Sequence, residues 1–224
     1  ASYVSPRSLG YGGEKLRAER ALASQTAATP VVAVYILRLP DVLGPFDNSG
    51  RYWATVLWAQ SGVPLLISEE AAMERVSFVS GADIAALCVR ILCPSNSLPP
   101  VKGGSYNVAC TEVITMLDFL KSVALAVGVM APRVFSAPDS DTASSSPESS
   151  DDEPSSSCDY YPSVSCGPLC VAAAHEGLQW APSPLGDVLA ASTAFFMKAP
   201  CKGAEYRRAL GKLPGMVRVA LRAK

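Results

Sequence analysis

Charge, histidine and long apolar runs are all scarce in this sequence. Only 17% of its 224 residues are charged, and the two signs nearly cancel to a formal net charge of −1. No broad field therefore draws the chain to nucleic acid or to an anionic membrane surface. No apolar stretch approaches the roughly 20 residues that a membrane-spanning helix needs. The longest strongly apolar stretch, residues 31–37, has the length of a strand. Neither a Walker loop nor a Ser-His-Asp hydrolase signature is present. There is no initiator Met and no signal or transit peptide. The opening residues Ala1-Ser2-Tyr3-Val4-Ser5 read as the end of a strand already under way, so the sequence is taken as a piece of a longer protein. Its seven cysteines are odd in number and scattered, which fits a reducing compartment and a cytoplasmic location better than a disulfide framework.

What is present is a globular composition, 49% hydrophobic, and alternating element signals. Residues 13–26 are rich in strong helix formers. After Thr29-Pro30, the continuous β-branched run VVAVYIL has the pattern of a strand buried on both faces of a parallel sheet. It ends in Arg38-Leu39-Pro40-Asp41-Val42-Leu43-Gly44-Pro45, whose prolines and glycine require a loop. Further on, helices are expected over 49–61, 82–92 and 114–127, and strands over 64–68, 76–79 and 105–109. Such alternation argues for an α/β architecture. Residues 138–165 break the pattern: they are Ser-, Asp- and Pro-rich without apolar periodicity, the composition of a disordered insertion. Ordered signals resume at Trp180, and the basic tail beyond Pro200 reads as a solvated terminal helix.

The sharpest chemical motif is Tyr11-Gly12-Gly13-Glu14-Lys15. A Tyr and a Lys four residues apart at a helix start share one face, one turn from each other. A phenol with a pKa near 10 becomes useful at neutral pH only when a positive charge stabilises its phenolate, and Lys15 could supply that charge. A second constellation, Cys158, Cys166, Cys170 and His175, lacks the paired C-x-x-C knuckle of zinc sites, and no metal is expected.

Five segments in order resemble the extended short-chain dehydrogenases/reductases, the family of NAD-dependent epimerases and dehydratases. YGGEKLRAERAL is similar to the segment in which that family keeps its catalytic Tyr and Lys, and VVAVYILRLPDVLGP to its strand ending in R-x-P-x-x-x-G-P. ERVSFVSGADIAALCVRIL, GGSYNVACTEVITMLDFL and LQWAPSPLGDVLAAS resemble the three segments that follow. The resemblance implies that Tyr11 is the acid–base residue, that Lys15 is its electrostatic partner, and that both contact the cofactor. It implies that Leu39 and Pro40 lie against the nicotinamide, and that Asp41 and Arg75 contact substrate. Ser2 is the candidate for the residue that binds the substrate hydroxyl, and Asp83 is a structural cap. There are also departures. The dinucleotide fingerprint G-x-x-G-x-x-G is missing, and Gly10-x-Gly12-Gly13 does not replace it, since no suitable strand precedes it. Asp41 stands where Asn is frequent, Leu43 where Tyr is, and Arg75 is displaced by one residue.

The expected fold is α/β, a partial Rossmann-like parallel sheet with helices and a smaller C-terminal substrate-binding lobe. Residues 1–137 would hold the C-terminal half of the Rossmann-like domain and the start of the lobe. Residues 138–165 would be the acidic insertion, and residues 166–224 the remainder of the lobe with the basic tail. The implied function is NAD- or NADP-dependent oxidation, epimerisation or dehydration at a hydroxyl of a sugar nucleotide or related small molecule. Homodimerisation stays open, and neither a membrane nor a nucleic-acid partner is expected. The alternative is a non-catalytic protein of the same fold, acting as a scaffold or binding RNA.

Overall fold

The computed structural model describes residues 10–28, 33–45, 47, 49–93, 103–135 and 172–223. Ser2 and the tract 138–165 lie outside them. The chain opens with α1 (Gly10–Ala28), longer at both ends than its helix-forming core, and continues to β1 (Tyr35–Arg38) and β2 (Asp41–Leu43). Next come α2 (Arg51–Ser61), β3 (Leu66–Ser68), α3 (Glu69–Met73), β4 (Arg75–Val76), β5 (Phe78–Ser80) and α4 (Gly81–Leu92). The second half holds β6 (Gly104–Asn107), β7 (Ile114–Thr115), α5 (Met116–Val127), β8 (Arg133–Phe135), α6 (Ala172–Leu178), α7 (Leu185–Lys198), α8 (Gly203–Gly211) and α9 (Gly215–Arg222).

The helix boundaries have local causes. Ser80 Oγ accepts the backbone N–H of Ala82 at 3.2 Å and starts α4. Thr115 Oγ1 accepts the N–H of Asp118 at 3.1 Å and starts α5, which ends at Gly128 in the left-handed region. Such caps satisfy backbone donors and acceptors that a helix end leaves unpaired. Because Thr115 is the cap, residues 114–115 belong to a strand and not to the helix expected there. Likewise the strand expected over 76–79 divides at the buried Ser77: β4 runs antiparallel to β7, whereas β5 runs parallel to β2.

The other two pairs, β1–β6 and β3–β8, are parallel. Parallel partners need long crossovers, which here are helical. The segment after β6 joins two of these pairs: Val108 N–H donates to Arg38 O at 2.9 Å, and Cys110 N–H to Phe78 O at 2.8 Å. The architecture is mixed α/β with a Rossmann-like pattern of short parallel strands and helices. One expectation is revised. Tyr35, Ile36 and Leu37 of β1 are each half-buried and not fully enclosed, as a strand covered on both faces would be.

Two apolar clusters hold the chain together. The larger joins α2, α3, α5, α7, α8 and α9 around Trp53, Leu57, Phe78, Phe119 and Phe196. The smaller gathers Val79, Leu87, Tyr106, Leu178 and Trp180 between α4, α6 and β6. The basic tail is not a solvated helix: Ala209 of α8, Leu213 of the turn after it and Val217 of α9 enter the larger cluster while the arginines of both helices stay outside. Amphipathic spacing lets a charged helix bury one narrow stripe in this way.

Candidate active site

The site starts where β1 runs out. Arg38, its last residue, holds the Glu19 carboxylate through Nε at 3.0 Å and Nη2 at 2.6 Å. This pair keeps the Glu19 carboxyl below its ordinary range, chiefly through the hydrogen bond. Positions 11, 15 and 19 follow one another at four-residue steps along one face of α1. The Glu19–Arg38 pair thus pins the face that carries positions 11 and 15 to the end of β1. Lys15 is exposed on this helix.

Immediately beyond Arg38, Leu39 is half-buried against the smaller cluster and Pro40 is buried. Asp41 follows at 9% exposure, its Oδ1 only 2.6 Å from Nη2 of Arg51 at the start of α2. The loop between them is tied internally. Asp47 accepts the backbone N–H of Ser49 at 2.8 Å and its hydroxyl at 2.9 Å, and Ser49 Oγ accepts the N–H of Arg51 at 3.2 Å. Gly50, the residue before α2, has φ 68°. A Cβ there would come within 2.9 Å of the Ala209 backbone nitrogen. Only glycine lets α8 approach the start of α2 so closely.

Asp41, Asp47, Ser49 and Arg51 form the polar side of a cavity of about 140 Å³, Pro40 adds an apolar edge, and Tyr52, Thr55, Phe78 and Phe119 form its inner wall. Tyr52 is fixed in that wall: its hydroxyl lies 2.7 Å from Thr193 Oγ1 and donates to Leu189 O at 3.2 Å. Burial pushes its phenol up to about 12, so it stays protonated at neutral pH. Cys110 is inert, because burial, with Glu112 and Asp83 nearby, pushes its thiol up to about 11.

The structure therefore brings Pro40 and Asp41 into one pocket and ties the helix of Tyr11 and Lys15 to the strand that leads there. Arg75 stands apart, exposed on β4 and outside the pocket lining. Asp83 accepts both the backbone N–H and the hydroxyl of Ser183, at 2.9 and 2.8 Å, and so anchors the chain entering α7. Cys158, Cys166 and Cys170 lie outside the described residues. Among the described residues no group of three or more His, Cys, Asp or Glu side chains could hold a metal ion. No described helix is long and apolar enough to cross a membrane. Sequence reasoning missed Arg51, Asp47 and Ser49. The run Asp47-Asn48-Ser49-Gly50 signals a turn before a helix, but nothing local pairs Arg51 with a carboxylate ten residues earlier.

No protein-family model matches the sequence, and no curated protein does. Solved structures do match. A dTDP-glucose 4,6-dehydratase from Bacillus anthracis, in complex with NAD, superposes with a TM-score of 0.62 at 10% identity, covering 93% of this chain and 59% of that one. A UDP-glucuronic acid 4-epimerase from Bacillus cereus, with UDP-glucuronic acid and NAD, gives 0.58 at 18% identity, covering 88% and 57%. A UDP-glucose 4-epimerase from Thermotoga maritima, with UDP-glucose, gives 0.53 at 16% identity, covering 80% and 50%. At these identities the likeness is one of fold, and this chain spans between 50% and 59% of the length of these three proteins.

Proposed function

We propose that this chain supplies the substrate-binding part, and one wall of the cofactor site, of an NAD- or NADP-dependent enzyme. That enzyme would oxidise a hydroxyl of a sugar nucleotide or related small molecule, as epimerases and dehydratases do. The observation that carries this reading is the Glu19–Arg38 pair, which fastens the Tyr11/Lys15 face of α1 to the strand end running directly into the Asp41 pocket. The likeness in fold to an epimerase and a dehydratase crystallised with NAD supports it.

In this reading Tyr11 takes the hydroxyl proton of the substrate, and Lys15 holds the phenolate in its charged form. Bound cofactor would supply the acceptor for the hydride. The described residues fit its nicotinamide end: Leu39 and Pro40 offer an apolar, partly enclosed floor beside the pocket. The Asp41–Arg51 pair would meet the sugar, with the carboxylate accepting from hydroxyls and the guanidinium donating to them. Arg75 would reach the substrate from outside the pocket, and Ser2 would hold the reacting hydroxyl.

The test is Tyr11→Phe in a protein that joins this chain to a dinucleotide-binding half. Phe keeps the ring and removes the exchangeable proton. Turnover should fall by roughly 10²–10⁴-fold, the usual contribution of a positioned acid–base group, while cofactor affinity stays within about twofold. Turnover at the wild-type level would remove Tyr11 from the chemistry. No cofactor-dependent turnover of any sugar nucleotide by the unsubstituted protein would favour the non-catalytic scaffold.

A further inference from the structure

Further along α2, toward its C-terminal end, lies a larger cavity of about 360 Å³, which shares only Thr55 with the Asp41 pocket. It is walled by Trp58 and Ala59 of α2, Leu120 and Ala124 of α5, and the segment from Met130 to Arg133 that enters β8. Small residues keep it open, because Ala59, Gly62, Ala124 and Ala131 stand where larger side chains would close the gap. The polar groups around it are already paired with one another. The Trp58 indole N–H donates to Val63 O at 3.0 Å, Val63 N–H to Ser61 Oγ at 3.1 Å, and Arg133 N–H to Leu65 O at 2.9 Å. What remains for a guest is mostly carbon. Arg133 is the only charged residue of the lining. It is exposed, and its guanidinium has no carboxylate partner among the described residues.

We infer that this cavity binds a small apolar monoacid, its ring or acyl body held between α2 and α5 and its carboxylate on Arg133. The volume falls at the lower end of the range of small-ligand pockets, and an apolar lining with one placed polar group is their usual composition. The absence of any acidic lining residue makes the site complementary to an anion. The inference does not depend on the proposed catalytic function, since neither Tyr11, Lys15 nor Asp41 takes part.

The experiment titrates the full chain with decanoate and with naphthoate, and with their neutral amides, by calorimetry and by the fluorescence of Trp58. At least one acid should bind saturably; decanoate alone would identify an acyl guest, and naphthoate alone a flat ring. Ala124→Phe should fill the cavity and weaken binding more than tenfold, with Ala59→Met as a second filling variant should the first not fold. Arg133→Gln should weaken the acids about tenfold and leave the amides unchanged. Failure of both acids to bind, or equal binding by a folded filling variant, would show an ordinary packing void. Equal loss of acid and amide, or loss of neither, in Arg133→Gln would overturn the assignment of an anionic guest.

Discussion

The helical lobe and the α1–β1 region treat the same kinds of residue in opposite ways. In the lobe, α2 buries Tyr52 through Trp58 without interruption, because α5, α7, α8 and α9 surround it. Along α1, Leu16 and Leu22 remain 38% and 42% exposed, and β1 has one partner among the described residues. Burial, and with it stability, comes from how many neighbouring elements enclose a helix, more than from its own composition. The contrast also separates two kinds of site. The Asp41 pocket is walled by the well-packed lobe, whereas the Tyr11/Lys15 helix is held by an ion pair at the protein surface.

The largest test of the contrast is a pair of truncations. Phe119 is 2% exposed and stacks on Phe78 at a centroid distance of 4.8 Å. Phe119→Ala should cost about 3–5 kcal/mol in chemical denaturation, whereas Leu16→Ala should change stability by less than about 0.5 kcal/mol. Comparable losses would mean that α1 is as tightly packed as the lobe.

Gly50→Ala comes next, since it strains the left-handed position and crowds the backbone of α8. About 2–5 kcal/mol should be lost, from roughly 1–2 for the conformation and 1–3 for overpacking. A melting temperature unchanged by this substitution would show that α8 yields easily, and that the enclosure of α2 is looser than it looks.

The smallest effect belongs to the surface pair. Glu19→Gln should cost only about 0.3–0.5 kcal/mol at neutral pH, because the Arg38 side chain is half exposed and water screens the pair. The Glu19 carboxyl is depressed in the folded chain, so its contribution is complete above the unfolded carboxyl value. It is lost as pH falls through the lower, folded value. Denaturation of both proteins across acid pH should show the difference closing there. A gap that persisted below that range would assign the effect to packing and not to charge.

Much of the local structure was legible in order along the chain. The helix formers of α1 and the apolar run into β1 mark their elements through propensities that act over neighbouring residues, whereas Thr115, placed inside the helix expected from residue 114, is its cap. Asp83, read as a structural cap, does hold a backbone group, but that of Ser183, 100 residues later. Its residue type was informative and its partner was not.

By itself the sequence determined the α/β alternation, the one-turn spacing of Tyr11 and Lys15, and the order of segments leading from them to Asp41. These follow from helical and strand periodicity, which act over a few residues. Only the tertiary structure decided that Arg51 neutralises Asp41 and that Thr193 and Leu189 fix Tyr52 in the pocket wall. It also decided that the basic tail packs into the core and that small residues on α2 and α5 leave a second cavity. Each of these depends on contacts between elements brought together by packing, and a local pattern carries no record of which surface it will meet.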